Sequence, residues 1–433
     1  MTLLDLTPRP IVTDRLATLP VVIIGAGPIG LAAAANLVER GIDFLVLEAG
    51  DRPASSVRQW RHTRLFSPWR HLIDPASRRL LAESGWVPPT DEGRAPSGHE
   101  LVDEYLAPLA DLAAIRTRIR YGIRVAAVTR QGMDRTRTAG RESTPFLLRT
   151  TTDAGDVEEV TARAVIDASG TYTTPNPLSS SGLDPIGDAV DRIMHALPDV
   201  LGADRSKFAG RHTTVVGAGH SAANTLIALA ELARTEPGTR VTWLIRNASA
   251  VRVSSSADDE LADRARLGSS VDQLVDAGVI EKVDSFEIVA IERQGDGIRL
   301  RGTRRGDPAA HDTDLVVAAT GFRPDVGMLR ELRVQLDDIV EAPVRLAPLI
   351  DPNVHSCGTV APHGFDELRH PEPGFFLVGM KSYGRAPTFL LATGYEQVRS
   401  VVAWLDGDMR GATEVRLTLP ATGVCSTDSG GCC

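Results

Sequence analysis

Residues 21–48 read VVIIGAGPIGLAAAANLVERGIDFLVLE, and the rest of the chain is read outward from them. Residues 21–24 are a short apolar run rich in β-branched side chains, the composition of a strand buried on both faces. Gly25, Gly27 and Gly30 follow at once as G-x-G-x-x-G. An Ala-rich segment of strong helix formers runs on through Leu37, and a second apolar run, 44–47, ends in Glu48. Gly25 permits the tight turn from strand to helix, Gly27 lets a pyrophosphate approach the backbone, and Gly30 lets helix and strand pack closely. The helix N-terminus offers N–H groups and the positive end of a dipole to phosphates. Glu48, roughly 20 residues on, can accept hydrogen bonds from both hydroxyls of an adenosine ribose. Ala34 and Gly41 are small where the helix must lie against the sheet. The whole unit reads as dinucleotide-binding; an unrelated glycine-rich turn leaves Glu48 unexplained.

The pattern recurs. Residues 213–216 form a second short strand, and Gly217-Ala218-Gly219-His220-Ser221-Ala222 is G-x-G-x-x-A at its end. Residues 223–233 read as helix, and 241–245 as the next strand, ending in Arg246. Each unit is closed by a later strand that runs into a small-residue crossover. The first is 164–166, followed by Asp167-Ala168-Ser169-Gly170; the second is 315–318, followed by Ala319-Thr320-Gly321. The repeat predicts an α/β fold with two Rossmann-like dinucleotide-binding domains, in three-layer arrangements of sheets and helices, the second domain inserted into the first. Arg246 stands where the first unit has Glu48. An acid there favours a free 2′-hydroxyl and an arginine accommodates a 2′-phosphate, so the second site is read as NADPH rather than NADH. Arg252 is a candidate helper, and the alternative is that Arg246 faces solvent.

Composition narrows the class. The chain has 433 residues, enough for two to three domains. No apolar run approaches the ~18–20 residues that span a membrane, and the N-terminal residues show no basic segment followed by an apolar core. The expected location is cytoplasmic. The formal net charge is −9 with no Lys/Arg block, which argues against nucleic acid as the main partner. Lys207, Lys282 and Lys381 are the only lysines, a bias read as genome composition. Four cysteines in a chain of this size do not make a secreted disulfide framework.

Between the two units, residues 49–81 are broken by Gly, Pro and Ser and read as loop with short helices. Trp60, Arg61, His62, Arg64, Phe66, Trp69, Arg70 and His71 make this loop dense in aromatic and basic groups. It is either a packed surface loop or a wall of a cofactor site. Residues 100–114 are amphipathic and read as helix. Residues 124–128, 146–151 and 157–161 read as a strand meander joined through the polar segment 130–144. Near the C-terminus, 374–378 (GFFLV) is an apolar strand leading into Gly379-Met380-Lys381-Ser382-Tyr383-Gly384-Arg385, with a helix at 388–405. A strand, a glycine turn and a helix start again make a site for an anion or polar ring.

Two nucleotide units with Ala-Ser-Gly and Ala-Thr-Gly crossovers resemble the two-dinucleotide-binding-domain flavoproteins, a superfamily that includes disulfide reductases, thioredoxin reductases and flavin-containing monooxygenases. The resemblance spans about residues 21–405. It implies FAD at Gly25, Gly27, Pro28, Gly30, Glu48 and Gly170, NADPH at Gly217, Gly219, His220, Ser221, Ala222, Arg246 and Gly321, and a flavin-contacting turn at Gly379. The implied layout is 1–178 for the first part of the FAD domain, 205–330 for the NADPH domain, 335–415 for the second part of the FAD domain and 416–433 for a flexible cysteine-containing tail. No cysteine precedes Cys357, so neither the C-x-x-x-x-C nor the C-x-x-C dithiol of the reductases is present. Met380 stands where those reductases usually carry Asp, which leans toward the monooxygenases. The F-x-G-x-x-x-H fingerprint of the latter is absent in strict form, with Phe208-Ala209-Gly210 running into a strand and His195 at most a remnant. The strings SPWRHLIDP, DASGTY, VVGAGHSAANT and VGMKSYGRAPTFLLATGYEQVRS resemble flavoproteins encoded beside bacterial arsenic-resistance genes.

The implied reaction is an NADPH-dependent oxygenation of a soft nucleophile, with a small-molecule substrate and O2 as partners. The alternatives are a flavin reductase acting on a metalloid or disulfide, and a flavin-bearing metalloid-binding protein. A homodimer stays open. Arg385 and Lys381 could favour an anionic reduced ring electrostatically, unless Arg385 forms a structural ion pair, and Trp69 and Tyr172 could pack on the ring or simply in the core. Finally, Cys425, Cys432 and Cys433 crowd a Ser/Gly-rich C-terminus. Two or three thiolates suit a soft trivalent metalloid, and the tail resembles the vicinal-cysteine tail of mercuric reductase. It could pass cargo by way of Cys357, beside His355 and His363, or do nothing.

Overall fold

The computed structural model describes residues 14–248, 262–352, 361–387 and 389–417. The strand Val21–Ile24 lies at the centre of a five-stranded sheet. Across that sheet the order is Phe375–Leu377, Ala164–Asp167, Val21–Ile24, Phe44–Leu47 and Ile119–Arg120, and every pairing is parallel. Its side chains alternate between two cores. Val21 and Ile23 face helices Pro28–Glu39 and Leu391–Leu405, while Val22 and Ile24 face an antiparallel meander. That is the period-2 rule applied to a strand buried on both sides. The meander comprises Ile123–Arg130, Phe146–Thr152 and Val157–Ala162.

The second sheet repeats the plan. Its order is Glu281–Val283, Arg240–Leu244, His212–Val216, Leu315–Ala318 and Ile193–His195, again all parallel. Helices His220–Thr235 and Ala262–Asp276 cover one face, and a second meander covers the other. That meander (Phe286–Gln294, Gly297–Arg304 and Asp307–Thr313) is not among the strands expected from the sequence. The internal repeat is therefore deeper than two glycine turns: each unit is a helix layer, a parallel sheet and an antiparallel sheet. The third layer is strand rather than helix in both. The second sheet also begins with Ile193–His195, ahead of the boundary expected at residue 205; three residues are too few to show a period.

The amphipathic segment expected as one helix over 100–114 is broken into Gly98–Glu100, a π-helical Leu101–Leu106, Ala107–Asp111 and Ala113–Arg116. The chain leaves the helical region only at Leu112, with ψ 132°, and Pro108 perturbs the bonding of the turn before it. The proline has no N–H for the carbonyl of Glu104, which accepts instead from the indole of Trp86 at 2.8 Å.

The returning C-terminal strand is locked to the first meander by a buried charge cluster. Glu372 accepts from Arg130 Nε at 2.8 Å and from Arg141 Nη2 at 2.7 Å, and Arg130 lies over the Phe146 ring at 3.6 Å. Three hydrogen-bonded partners in one buried site are what keeps such charges tolerable. Among the described residues, no helix is long and apolar enough to cross a membrane.

Candidate functional site

The site grows from three glycine turns, two at the C-terminal ends of strands in the first sheet and one at the end of His212–Val216 in the second. Gly25 has φ +98°, a value that L side chains rarely adopt. A Cβ built on Gly30 would stand 2.0 Å from the Gly25 carbonyl oxygen, whereas one built on Gly27 would meet no heavy atom within 4 Å. Gly30 is thus needed for packing, and Gly27 leaves open space above the backbone. The helix Pro28–Glu39 has no side-chain cap at Gly27 and no acid in its first turn, an arrangement that suits a bound anion at its N-terminus.

The second turn has the same design. Gly217 has φ +134°, and a Cβ there would lie 2.2 Å from the Ala319 carbonyl oxygen; Gly219 again has nothing within 4 Å. Helix His220–Thr235 also lacks a side-chain cap and a first-turn acid. Two cradles that a Cβ would fill, each under a helix N-terminus, fit the pyrophosphates of two dinucleotides.

Glu48 is buried at the end of the second strand. Its Oε2 accepts from the Ala26 amide at 2.6 Å and its Oε1 from the Gly50 amide at 2.7 Å. The sequence suggests only a ribose contact; the structure shows that the acid also pins the glycine turn. A carboxylate has about four lone-pair sites, so acceptors for hydroxyls remain. Arg246 is exposed beyond the strand Arg240–Leu244, with Nη1 donating to the Ser180 carbonyl at 3.4 Å. Ala222 is fully buried under the second turn, and Ser221 is half-buried with its carbonyl accepting from Thr225 Oγ1 at 2.9 Å. His220 packs its ring on Phe66 with 5.2 Å between centroids. Gly170 and Gly321 both take positive φ beyond their strands.

The third turn, Gly379–Tyr383, follows the strand Phe375–Leu377. A Cβ on Gly379 would lie 3.0 Å from the Ile29 side chain, and one on Gly394 2.4 Å from Ile29 Cδ1. Ile29 belongs to the first turn of the glycine helix, so the third turn and the helix Leu391–Leu405 both close onto the first cradle.

Lys381 and Arg385, the two cations expected beside the flavin, each have a carboxylate partner. Lys381 is fully buried, with Nζ 2.7 Å from Asp167 Oδ2 and 3.0 Å from Ser169 Oγ. Asp167 Oδ1 accepts in turn from Ser169 Oγ at 2.6 Å. An ammonium so far from water needs a counter-ion in contact. Arg385 pairs side-on with Glu341, Nε to Oε2 at 2.7 Å and Nη2 to Oε1 at 3.2 Å. Both charges are answered within the chain.

Trp69 is fully buried in the first core, and its indole N–H has no acceptor among the described residues. Tyr172 stacks on Phe322 with centroids 5.0 Å apart, joining the two crossovers. Arg252, His355, Cys357, Cys425, Cys432 and Cys433 lie outside the described residues. Among those described, no group of three or more His, Cys, Asp or Glu could hold a metal ion.

Sequence reasoning assigned no role to Asn176, Phe322 or Gln397, and gave Phe66 and Ser382 no partner; only the fold brings these contacts to the turns.

Comparison with known proteins agrees with this architecture. The sequence profile of the family described as pyridine nucleotide-disulphide oxidoreductase matches residues 22–345. Over 202 residues the chain is 31% identical to the indole-3-pyruvate monooxygenase YUCCA6 of Arabidopsis thaliana, a match covering 46% of this chain and 42% of that one. The rice enzyme YUCCA1 (Oryza sativa subsp. japonica) is 29% identical over 201 residues, covering 46% and 42% respectively. The chain thus spans less than half the length of the curated relatives it matches.

Among solved structures, the bacillithiol disulfide reductase of Bacillus cereus superposes with a TM-score of 0.66 at 22% identity, covering 90% of this chain and 99% of that one. The ornithine N-hydroxylase of Kutzneria sp. 744, solved with reduced FAD, NADP+ and L-ornithine, gives 0.59 at 18%, covering 89% and 99%. At these identities the fold is what is shared. With the profile covering both glycine turns and both crossovers, the chain belongs to the pyridine nucleotide-disulphide oxidoreductase family.

Proposed function

We propose that this chain is an FAD-dependent, NADPH-using monooxygenase of a soft nucleophile, with trivalent arsenicals as the first substrate class to test. The observation that carries the reading is the paired cradle: each turn is closed where the fold needs it and open at Gly27 and Gly219. The matched relatives are monooxygenases, and the Kutzneria enzyme holds FAD and NADP+; both support a flavin at the first turn and a nicotinamide nucleotide at the second.

The proposed layout is 1–178 with 335–415 around the flavin and 205–330 around NADPH, the latter extended back to the strand Ile193–His195. When bound, the flavin supplies two-electron exchange with NADPH and the reaction with O2. The chain's residues bind and enclose. The amides above Gly27 hold the pyrophosphate and Glu48 holds the ribose, with Gly170 keeping side chains clear. Gly217, Gly219, His220, Ser221, Ala222 and Gly321 shape the second cradle, and Arg246 meets the 2′-phosphate. The buried, acceptor-less N–H of Trp69 is a donor for a group bound inside the first unit.

A reductase working through its own dithiol is disfavoured, because residues 1–356 contain no cysteine. Purified protein is mixed with NADPH, and O2 consumption is followed with and without arsenite or a methylated trivalent arsenical. Arsenical-dependent O2 uptake is the expected result. Turnover of the same compound under anaerobic conditions would replace oxygenation by reduction, and no NADPH oxidation would leave a binding protein. We assign Cys425, Cys432 and Cys433 the role of capturing trivalent metalloid. Truncation after Gly423 should keep FAD and basal NADPH oxidation while losing metalloid affinity; unchanged affinity would remove the tail from the proposal.

A further inference from the structure

The helix Leu391–Leu405 carries a glutamine on its buried face at Gln397, and its amide makes three hydrogen bonds. Oε1 accepts from the Gly379 amide at 2.7 Å, and Nε2 reaches Ser382 Oγ and His363 Nε2, each at 2.9 Å. Ser382 Oγ donates onward to the Gly379 carbonyl at 2.8 Å, and His363 Nδ1 lies 3.1 Å from the Ala361 carbonyl. His363 is itself held down: a Cβ on Gly364 would stand 2.2 Å from Ser400 Oγ, and that hydroxyl accepts from the Phe365 amide at 2.9 Å.

Both ends of this chain of bonds are backbone groups whose roles cannot change. The Gly379 amide can only donate, and the Ala361 carbonyl can only accept. Every proton between them is thereby assigned. Gln397 must turn its oxygen to Gly379 and its nitrogen to His363. His363 must therefore be neutral, with its one proton on Nδ1. A second proton on Nε2 would face the N–H bonds of Gln397. Reversing that amide to accept it would set N–H against N–H at Gly379. The protonation state of His363 and the bonding of the Gly379 amide are one variable.

We propose that His363 and Gln397 are positioning residues that hold the Gly379 turn against the first cradle, and that protonation of His363 releases this turn and weakens the grip on the dinucleotide. The proposal rests on the reading that FAD occupies the first cradle. Among the described residues, the groups facing His363 are Glu367 on helix Phe365–Leu368, Glu396 on helix Leu391–Leu405, and the Tyr383 ring at 5.7 Å. The two carboxylates favour the charged imidazole, but burial outweighs them and holds the pKa of His363 below its ordinary value. Release therefore belongs to the acid side of ordinary histidine titration.

The test uses the full-length apo-protein. Its histidine ring and Gly379 amide resonances are followed by NMR from pH 8 downward, and FAD affinity is measured by fluorescence quenching over the same range. The Gly379 amide should shift together with the His363 titration, and FAD affinity should fall about threefold to tenfold across it, the worth of one hydrogen bond. Gln397→Met should bind FAD as weakly at pH 8 as the parent does in acid, with a flat profile. Gln397→Glu can accept from Gly379 and from a charged His363 at once. It should raise the His363 pKa and keep FAD affinity as the pH falls. A Gly379 amide indifferent to His363, a His363 that stays neutral until the protein unfolds, or the same affinity profile in the parent and Gln397→Glu would each overturn the proposal. If Gly379 follows His363 but FAD binds at no pH, the linkage stands and the cofactor reading falls.

Discussion

Gly27 and Gly30 lie on one turn and should respond to substitution in opposite ways. A methyl at Gly30 would overlap the Gly25 carbonyl at 2.0 Å, so Gly30→Ala must deform the turn. A Cβ at Gly27 meets nothing within 4 Å. Gly27→Val should therefore fold, losing about 1 kcal/mol or less at the helix cap, yet purify without yellow flavin. Absorbance near the flavin bands together with a thermal melt checks both halves; a Gly27→Val protein with full flavin content would remove FAD from this cradle. Arg246 is the second residue with a sharp expectation. A charge-assisted contact is worth ~1.5–3 kcal/mol, so Arg246→Ala should raise the KM for NADPH roughly tenfold to a hundredfold and leave NADH nearly unchanged. Equal effects on the two coenzymes would mean that Arg246 does not read the 2′-phosphate.

At the scale of elements, helix Pro75–Glu83 carries a cap that works against the fold at neutral pH. Asp74 is fully buried, and its Oδ2 accepts from the Ser77 amide at 2.7 Å and Ser77 Oγ at 2.9 Å. Burial is the largest influence on its carboxyl, whose pKa rises from 3.8 to about 6. The folded state then binds a proton that the unfolded chain has already released. Stability from this group is fully present below about pH 4 and is lost as pH rises through about 6, a swing of about 3 kcal/mol. Asn also caps helices and keeps the acceptor for Ser77 without the charge. Asp74→Asn should thus be more stable than the parent at pH 7 by up to about that amount and gain little at pH 4, measured by urea unfolding. Parallel stability curves for the two proteins would show that burial does not set this titration.

The same scale shows what a sequence can and cannot disclose. The strands Val21–Ile24, Phe44–Leu47 and Leu315–Ala318 were legible to the residue because buried parallel strands are unbroken apolar runs bounded by glycine or acid. The second meander carries a weaker signal of the same kind: Phe286, Ile288 and Ile298, Leu300 alternate with polar residues, and Gly295 and Gly306 mark its turns. Partnerships such as Lys381 with Asp167 or Gln397 with His363 were not, since nothing local to either residue specifies a partner that only the fold brings near.

Across the whole molecule, the function proposed needs two nucleotides to meet, and the two crossovers that meet are bonded to each other. The Asn176 amide donates to the Gly321 carbonyl at 2.9 Å and its Nδ2 to the Thr320 carbonyl at 3.1 Å. Thr320 Oγ1 returns a bond to the Asn176 carbonyl at 2.9 Å, and the Arg323 amide reaches the Thr174 carbonyl at 3.0 Å. With the Tyr172–Phe322 stack above them, these bonds fix the crossover of one sheet against that of the other. A reacting pair must be held to about 3–3.5 Å, and small losses of alignment are costly in rate. The double variant Asn176→Ala with Thr320→Val removes two of the bonds through side chains that belong to neither glycine cradle. Each bond is worth ~0.5–1.5 kcal/mol, so stability should fall by about 1–3 kcal/mol. FAD and NADP+ affinities should be nearly unchanged, while the anaerobic rate of flavin reduction by NADPH should fall about tenfold or more. Stopped-flow absorbance separates these quantities. A variant that binds both nucleotides and reduces its flavin at the parent rate would show that alignment of the two sites does not depend on the bonded crossovers.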